Sequence, residues 1–187
     1  MGRNFTTRQL STIIVFSALA AITSVPIGHI SNYMKTIPFL PLGTGQILAG
    51  LHLIMLVFTA LYLKRPGAAT LTGAVKGLVE AVLFSFHGLP VIFMSVVQGA
   101  IIDVVLYTIG YGSIAVILGC GLSAVSNVMF IQFFLGKQFP MSAFVLMYGL
   151  SFISGAVFGG YMGEKLYWMV RDRLPTHTHT YRGKHAK

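Results

Sequence analysis

Charged residues are scarce in this chain. Of its 187 residues only 9% are charged, and Asp and Glu together number 4 against 13 Lys and Arg. An ordinary soluble domain has about 25% charged residues, whereas 55% of this chain is hydrophobic. The composition therefore excludes an ordinary soluble domain and indicates an integral membrane protein.

The sequence also lacks the motifs that several membrane-associated activities require. It has no Gly-x-x-x-x-Gly-Lys-Ser/Thr loop, so it cannot bind ATP in the P-loop manner, and no His-Glu-x-x-His zinc motif. The single cysteine, Cys120, lies within an apolar run, so neither a disulfide nor a cysteine metal site is available. We expect no metal, no other cofactor and no catalytic residue.

Six apolar runs are long enough to cross a bilayer, which takes about 20 residues. They lie at about 9–25, 44–63, 67–86, 90–109, 113–135 and 141–170. Pro66 and Pro90 stand where the third and fourth helices are expected to begin, a position that proline favours. We predict an all-α integral membrane protein, a bundle of six transmembrane helices over residues 1–174, followed by a polar cytoplasmic tail at 175–187.

The segment from Pro26 to Gly43 separates the first two runs. It holds three prolines, so it is predicted to be a loop and not one regular helix. Loops of this length are often functional lids, and we expect this one to close over a binding site.

Basic residues indicate how the bundle is oriented. If the amino terminus is cytoplasmic, only Lys35 and Lys137 fall on the outer side. Because Lys and Arg are enriched in cytoplasmic loops, both termini are predicted to be cytoplasmic. The net charge of +9 does not indicate nucleic acid, since these charges cluster at the ends of apolar runs and in the tail.

Three charged residues interrupt the third and fourth apolar runs: Lys76, Glu80 and Asp103. Ionisable groups within a span are costly and by default indicate a functional site. Lys76 and Glu80 are four residues apart, so on a helix they can pair on one face. Counted at about 1.5 Å per residue, Lys76 falls between the two acids in depth and could neutralise either.

Counting residues along each predicted helix places further polar residues in the outer half of the bundle or near its middle: Gln46, His52, Gln98 and Asn127. Together they predict a polar cavity open to the outside and floored by Lys76 and Asp103. The predicted substrate-binding residues are Glu80, Gln98, Asn127, His52, Lys76 and Tyr148. Two acids and one lysine would leave a net negative charge, which suits a cationic ligand. Alternatively, Lys76, Glu80 and Asp103 only lock the third and fourth helices together.

Small residues recur at every fourth position in several runs, a spacing that lets helices approach closely in lipid. Two stripes are Ala69, Gly73, Gly77 and Ala81 in the third helix, and Ser151, Gly155, Gly159 and Gly163 in the sixth. Most of these are expected to pack inside the bundle. Ser17 and Ala21 in the first helix are the exception, and we predict that they form a surface for a partner protein.

Several short segments, in their order and spacing, resemble those of a known family. They are Arg65-Pro66-Gly67-Ala68-Ala69, Leu78-Val79-Glu80, Val97-Gln98-Gly99 with an acid at Asp103, and Ile153-Ser154-Gly155-Ala156. The family is that of the substrate-binding S components of energy-coupling factor (ECF) vitamin transporters. The resemblance covers about residues 8–172. It is closest to the YkoE-type branch, which is associated with thiamine and its hydroxymethylpyrimidine precursor.

The resemblance implies a subunit that captures a vitamin near the outer face of a prokaryotic plasma membrane. Transport would need a membrane coupling subunit and two cytoplasmic ATPase subunits. An Ala-x-x-x-Ala-like motif on the first helix, matched in spacing by Ser17 and Ala21, would contact the coupling subunit. With a thiamine-like ligand, the carboxylate of Glu80 would pair with the aminopyrimidine.

Two other functions stay open at this point. One is a small homodimeric transporter in which Glu80 couples proton movement. The other is an intramembrane enzyme that uses Glu80, Asp103 or a histidine.

Overall fold

The computed structural model describes residues 5–34, 44–83, 90–133 and 140–173. Within these ranges every regular element is a helix. The elements are α1 (Thr7–Met34), a 3₁₀ segment (Thr44–Leu53), α2 (Ile54–Leu63), α3 (Ala68–Val82), α4 (Pro90–Ile109), α5 (Ser113–Phe133), α6 (Met141–Ser154), a π-helical segment (Gly155–Met162) and α7 (Gly163–Arg173).

The predicted all-α membrane fold is confirmed. In the described ranges, five helical runs are long and apolar enough to span a membrane: Thr7–Met34, Gln46–Leu63, Pro90–Ile109, Ser113–Phe133 and Met141–Arg173. The shorter α3 packs against α1, α2 and α4 and supplies a sixth helix to the bundle. The six-helix prediction is therefore roughly matched.

The first helix is longer than the apolar pattern indicates. The pattern predicts an end near residue 25, but α1 continues through Pro26 to Met34. A helix in a membrane bundle tolerates proline, because neighbouring groups compensate for the backbone donor that proline lacks. The first part of the predicted lid loop is thus helical. Its remainder, 35–43, and the predicted tail at 175–187 lie outside the described residues.

Glycine brings α3 and α4 closer together than other side chains would allow. A Cβ atom added to Gly73 would strike the carbonyl oxygen of Ser95, and one added to Gly99 would strike the carbonyl oxygen of Ala69. Gly77, one turn further along α3, also faces the backbone of α4. In lipid such contacts replace the hydrophobic effect as the force that holds two helices together.

Asp103 on α4 holds the beginning of α3. Its carboxylate accepts hydrogen bonds from the backbone N–H groups of Ala69 (3.2 Å) and Thr70 (2.7 Å) and from the hydroxyl of Thr70 (2.6 Å). The first N–H groups of a helix have no partner within the helix, and a negative charge is favourable at this end. Asp103 therefore caps α3 from the neighbouring helix.

Replacing Asp103 by Ala should lower the free energy of unfolding by about 1–2 kcal/mol, because the N–H groups of Ala69 and Thr70 lose their acceptor. Thermal unfolding in detergent measures the loss. Asp103→Asn keeps one acceptor oxygen and should lose less, whereas Asp172→Ala, at an exposed position of α7, should change nothing. An unchanged melting temperature for Asp103→Ala would show that the cap adds no stability.

Gly73→Ala should destabilise the protein by about 1–3 kcal/mol, the usual range for overpacking, because α3 and α4 must separate to admit the methyl group. Gly149→Ala is the matched control, since nothing lies within 4 Å of its added Cβ. Comparing the melting temperatures of the two variants with that of the wild type gives the result. Equal melting temperatures for both variants would refute the close approach at Gly73.

Candidate functional site

A polar cavity of ≈ 100 Å³ lies between α1, the 3₁₀ segment, α3, α4 and α5. A cavity must provide about 10–15 Å³ of such volume to hold one water molecule, so this cavity has room for several waters or a small ring. It sits at the end of the bundle where α1 and α3 end and α4 begins. Its polar lining residues are Ser24, His29, Ser31, Asn32, Gln46, His52, Lys76, Glu80, Ser95, Gln98 and Asn127.

An ion pair between Lys76 and Glu80 forms the α3 wall of this cavity. The ammonium nitrogen of Lys76 lies 2.7 Å from Oε1 of Glu80, and both residues are only 3% exposed. One helical turn separates the two, as the spacing of four predicts. Pairing is what makes two buried charges tolerable, since either alone would be strongly unfavourable away from water.

Asp103 does not belong to the cavity. Its carboxylate is engaged at the start of α3, about three turns of helix away from Glu80. The predictions that Asp103 floors the cavity beside Lys76 and that the site is net negative are therefore wrong. Among the described lining residues the charged groups are Lys76 and Glu80, which neutralise each other.

Five of the six residues predicted to bind substrate line the cavity: Glu80, Gln98, Asn127, His52 and Lys76. Tyr148 does not line it. Its hydroxyl donates a hydrogen bond of 2.6 Å to Oε1 of Gln132, which links α6 to α5. The prediction that Tyr148 lines the site is therefore not met by the described cavity, because position along a helix does not tell which way a side chain faces.

The wall contributed by α1 is missing from the sequence prediction. Ser24, Gly28, Ser31 and Asn32 line the cavity from the last turns of α1. The prediction ended the first helix at residue 25, so Gly28, Ser31 and Asn32 were assigned to a loop. The signal that could have found them is their spacing, because positions 24, 28, 31 and 32 share one helical face.

Hydrogen bonds to serine hold the 3₁₀ segment in place at the cavity wall. Oγ of Ser24 lies 2.6 Å from Nδ1 of His52 and joins this segment to α1. Ser151 on α6 donates to Oε1 of Gln46 at 2.9 Å. Ser154 accepts a hydrogen bond from the backbone N–H of Gly50, also at 2.9 Å. The segment is therefore fixed from both sides, which positions His52 and Gln46 toward the cavity.

Ser17 and Ala21 face the inside of the bundle. Both are 0% exposed, and the hydroxyl of Ser17 donates a 3.0 Å hydrogen bond to the backbone carbonyl of Thr72 on α3. The prediction that these two residues form a partner surface is therefore wrong, because they pack α1 against α3. The side of α1 that points outward carries larger apolar residues such as Ile14 and Ile22.

The chain is similar to known transport proteins. A sequence model of the family described as "ABC-type cobalt transport system, permease component" matches residues 8–130, more than half of the chain. A solved structure described as an S-component of an ECF transporter superposes with a TM-score of 0.82. That match covers 89% of this chain and 86% of the other at 23% sequence identity, so it shows the fold alone. A search of curated proteins found no match.

Breaking the ion pair from either side should destabilise the protein, by as much as about 3–5 kcal/mol, because the remaining charge stays buried without a partner. Lys76→Met and Glu80→Gln should each lower the melting temperature in detergent. The double variant removes both charges, so it should recover most of the loss. Additive losses in the double variant would mean that the two residues do not depend on each other.

Proposed function

The chain belongs to the family of permease components of ABC-type cobalt transport systems, and from this premise we propose that it is the substrate-binding subunit of an ECF-type importer. We propose further that its cargo is a water-soluble vitamin, either thiamine or its hydroxymethylpyrimidine precursor. A membrane transport subunit is not an enzyme, so the intramembrane enzyme considered from the sequence is set aside.

The polar cavity is the observation that carries this proposal. Hydroxyl, amide and imidazole groups from four segments of the bundle line the cavity together with the ion pair of α3, whose two charges neutralise each other. Sites for small organic molecules combine an enclosed space with a few fixed hydrogen-bonding groups in this way. The cavity is therefore suited to a small polar organic molecule without a large net charge.

A cobalt ion is the alternative cargo, since the family description names cobalt. Transition metals are held by several nitrogen, oxygen or sulfur ligands. In the described ranges, however, no group of three or more His, Cys, Asp and Glu residues could hold a metal ion. Glu80 is also paired with Lys76, whose ammonium group would repel a divalent cation. The cavity thus favours an organic ligand over a bare ion.

The choice of a pyrimidine rests on the resemblance to the thiamine branch and on Glu80. Oε1 of Glu80 contacts Lys76, which leaves its second carboxylate oxygen to accept a hydrogen bond from an amino group on the ligand. Hydroxymethylpyrimidine is uncharged and suits the neutral cavity. Thiamine also carries a cationic ring. Because Asp103 does not line the cavity, binding of this ring is less favourable than the sequence indicated.

Partner subunits follow from the same proposal. The chain has no P-loop, so two cytoplasmic ATPase subunits and a membrane coupling subunit would drive transport in the bilayer of a prokaryotic plasma membrane. Co-purification of ATPase subunits would support this assembly. The alternative is a homodimeric proton-coupled transporter, which would purify without ATPase subunits.

Isothermal titration calorimetry with hydroxymethylpyrimidine, thiamine and Co²⁺ tests the proposed cargo. The purified protein should bind a pyrimidine and not Co²⁺. Glu80→Gln should weaken binding about 10- to 100-fold, because a charge-assisted hydrogen bond is lost.

Two control variants separate binding from folding in this experiment. Lys76→Met/Glu80→Gln keeps the cavity neutral and should bind as weakly as Glu80→Gln, while Asp172→Asn should bind like the wild type. Stoichiometric Co²⁺ binding without pyrimidine binding would overturn the proposed cargo. Unchanged pyrimidine affinity in Glu80→Gln would remove Glu80 from the site.

A further inference from the structure

The side chain of Asn127 presents an unused hydrogen-bond acceptor at the cavity. Asn127 lies on α5 and lines the cavity, yet its Oδ1 is buried without a hydrogen-bond partner in the described part of the chain. An acceptor buried in this way is unfavourable, and such atoms are rare in folded proteins. A donor from outside the chain would remove this penalty.

The groove on the other side of Asn127 is lined mostly by apolar side chains. A groove of ≈ 490 Å³ between α4 and α5 shares Met94, Gln98 and Asn127 with the cavity. Its other lining residues are Phe93, Val97, Ile101, Ser126, Met129, Phe130 and Phe133. The hydroxyl of Ser126 is already donated to the carbonyl of Ser123 at 2.7 Å, and hydrocarbon from the bilayer has no donor to give. The cavity, where most of the polar lining residues lie, is therefore the more favourable side for a donor to approach.

We propose that Asn127 recognises an edge of the ligand on which an amino group adjoins a ring nitrogen. The N–H of the amino group would donate to Oδ1, and the ring nitrogen would accept from the amide nitrogen. A carboxamide carries an acceptor and two donors, and asparagine binds adenine through the same pattern of neighbouring groups. The ligand class is thus an amino-substituted nitrogen heterocycle. This inference rests on the proposed function and names the group that the site selects.

The same cavity provides a partner for each hydrogen of that amino group. An amino group has two N–H bonds, and Glu80 on α3 and Asn127 on α5 line the cavity from different helices, so each could accept one of them. An anion would bring no donor for the oxygen of Asn127, whereas an amino group does. The pair of acceptors therefore selects for a donor-rich neutral ring.

The melting temperature of the ligand-free protein tests whether the polar side chain of Asn127 stabilises the folded chain or is kept for ligand binding. Asn127→Leu keeps the branched shape of the side chain and removes the unpaired acceptor, so this temperature should stay the same or rise. Gln132→Leu on the same helix is the matched control, because it removes the acceptor of the Tyr148 hydroxyl and should lower the melting temperature. A fall in Asn127→Leu as large as that in Gln132→Leu would overturn the proposal.

Calorimetry with two probes tests the recognised group. The probes are hydroxymethylpyrimidine and its analogue in which hydrogen replaces the ring amino group. The wild type should prefer the amino compound by about 10- to 100-fold, the value of one or two lost hydrogen bonds. Asn127→Leu should lose about tenfold of that preference.

Each outcome of the calorimetry has a distinct meaning. A preference of equal size in the wild type and Asn127→Leu would overturn the role of Asn127. If neither probe binds the wild type, the proposed pyrimidine cargo fails, and the melting temperatures of the ligand-free variants still decide whether Asn127 serves the fold.

Discussion

The close approach of α3 to α4 is the constraint on which the rest of the structure depends. Glycines at 73, 77 and 99 remove the side chains that would hold the helices apart, and Asp103 caps the beginning of α3. In lipid, where no hydrophobic effect drives helices together, such packing and polar contacts set the register. With that register fixed, Lys76 and Glu80 of α3 and Gln98 of α4 line the same cavity.

A cavity of this kind is polar without being charged. Lys76 and Glu80 neutralise each other within α3, which offsets the cost of burying two charges. Neither charge is therefore free to hold an ion. What remains for a ligand is a set of hydrogen-bonding groups, among them the oxygen of Asn127, which has no hydrogen-bond partner among the described residues. This arrangement fits a transport subunit that captures its cargo and releases it unchanged, while ATP is hydrolysed elsewhere.

Hydropathy and spacing predict the helical bundle and the pairing of Lys76 with Glu80, because both depend on local sequence alone. Other features depend on how each helix is rotated, which no local pattern determines. Asp103 has the depth of a cavity residue but faces the start of α3, and Ser17 has the spacing of a docking motif but faces inward. The length of α1 was missed because Pro26, usually a helix breaker, lies within the helix.

Mass spectrometry of the small molecules released from the purified protein, combined with metal analysis of the same sample, tests the central claim most directly. A neutral polar cavity built around Lys76 and Glu80 predicts one nitrogen heterocycle for each chain and no stoichiometric cobalt. Cobalt bound at one ion for each chain, with no organic molecule released, would contradict it.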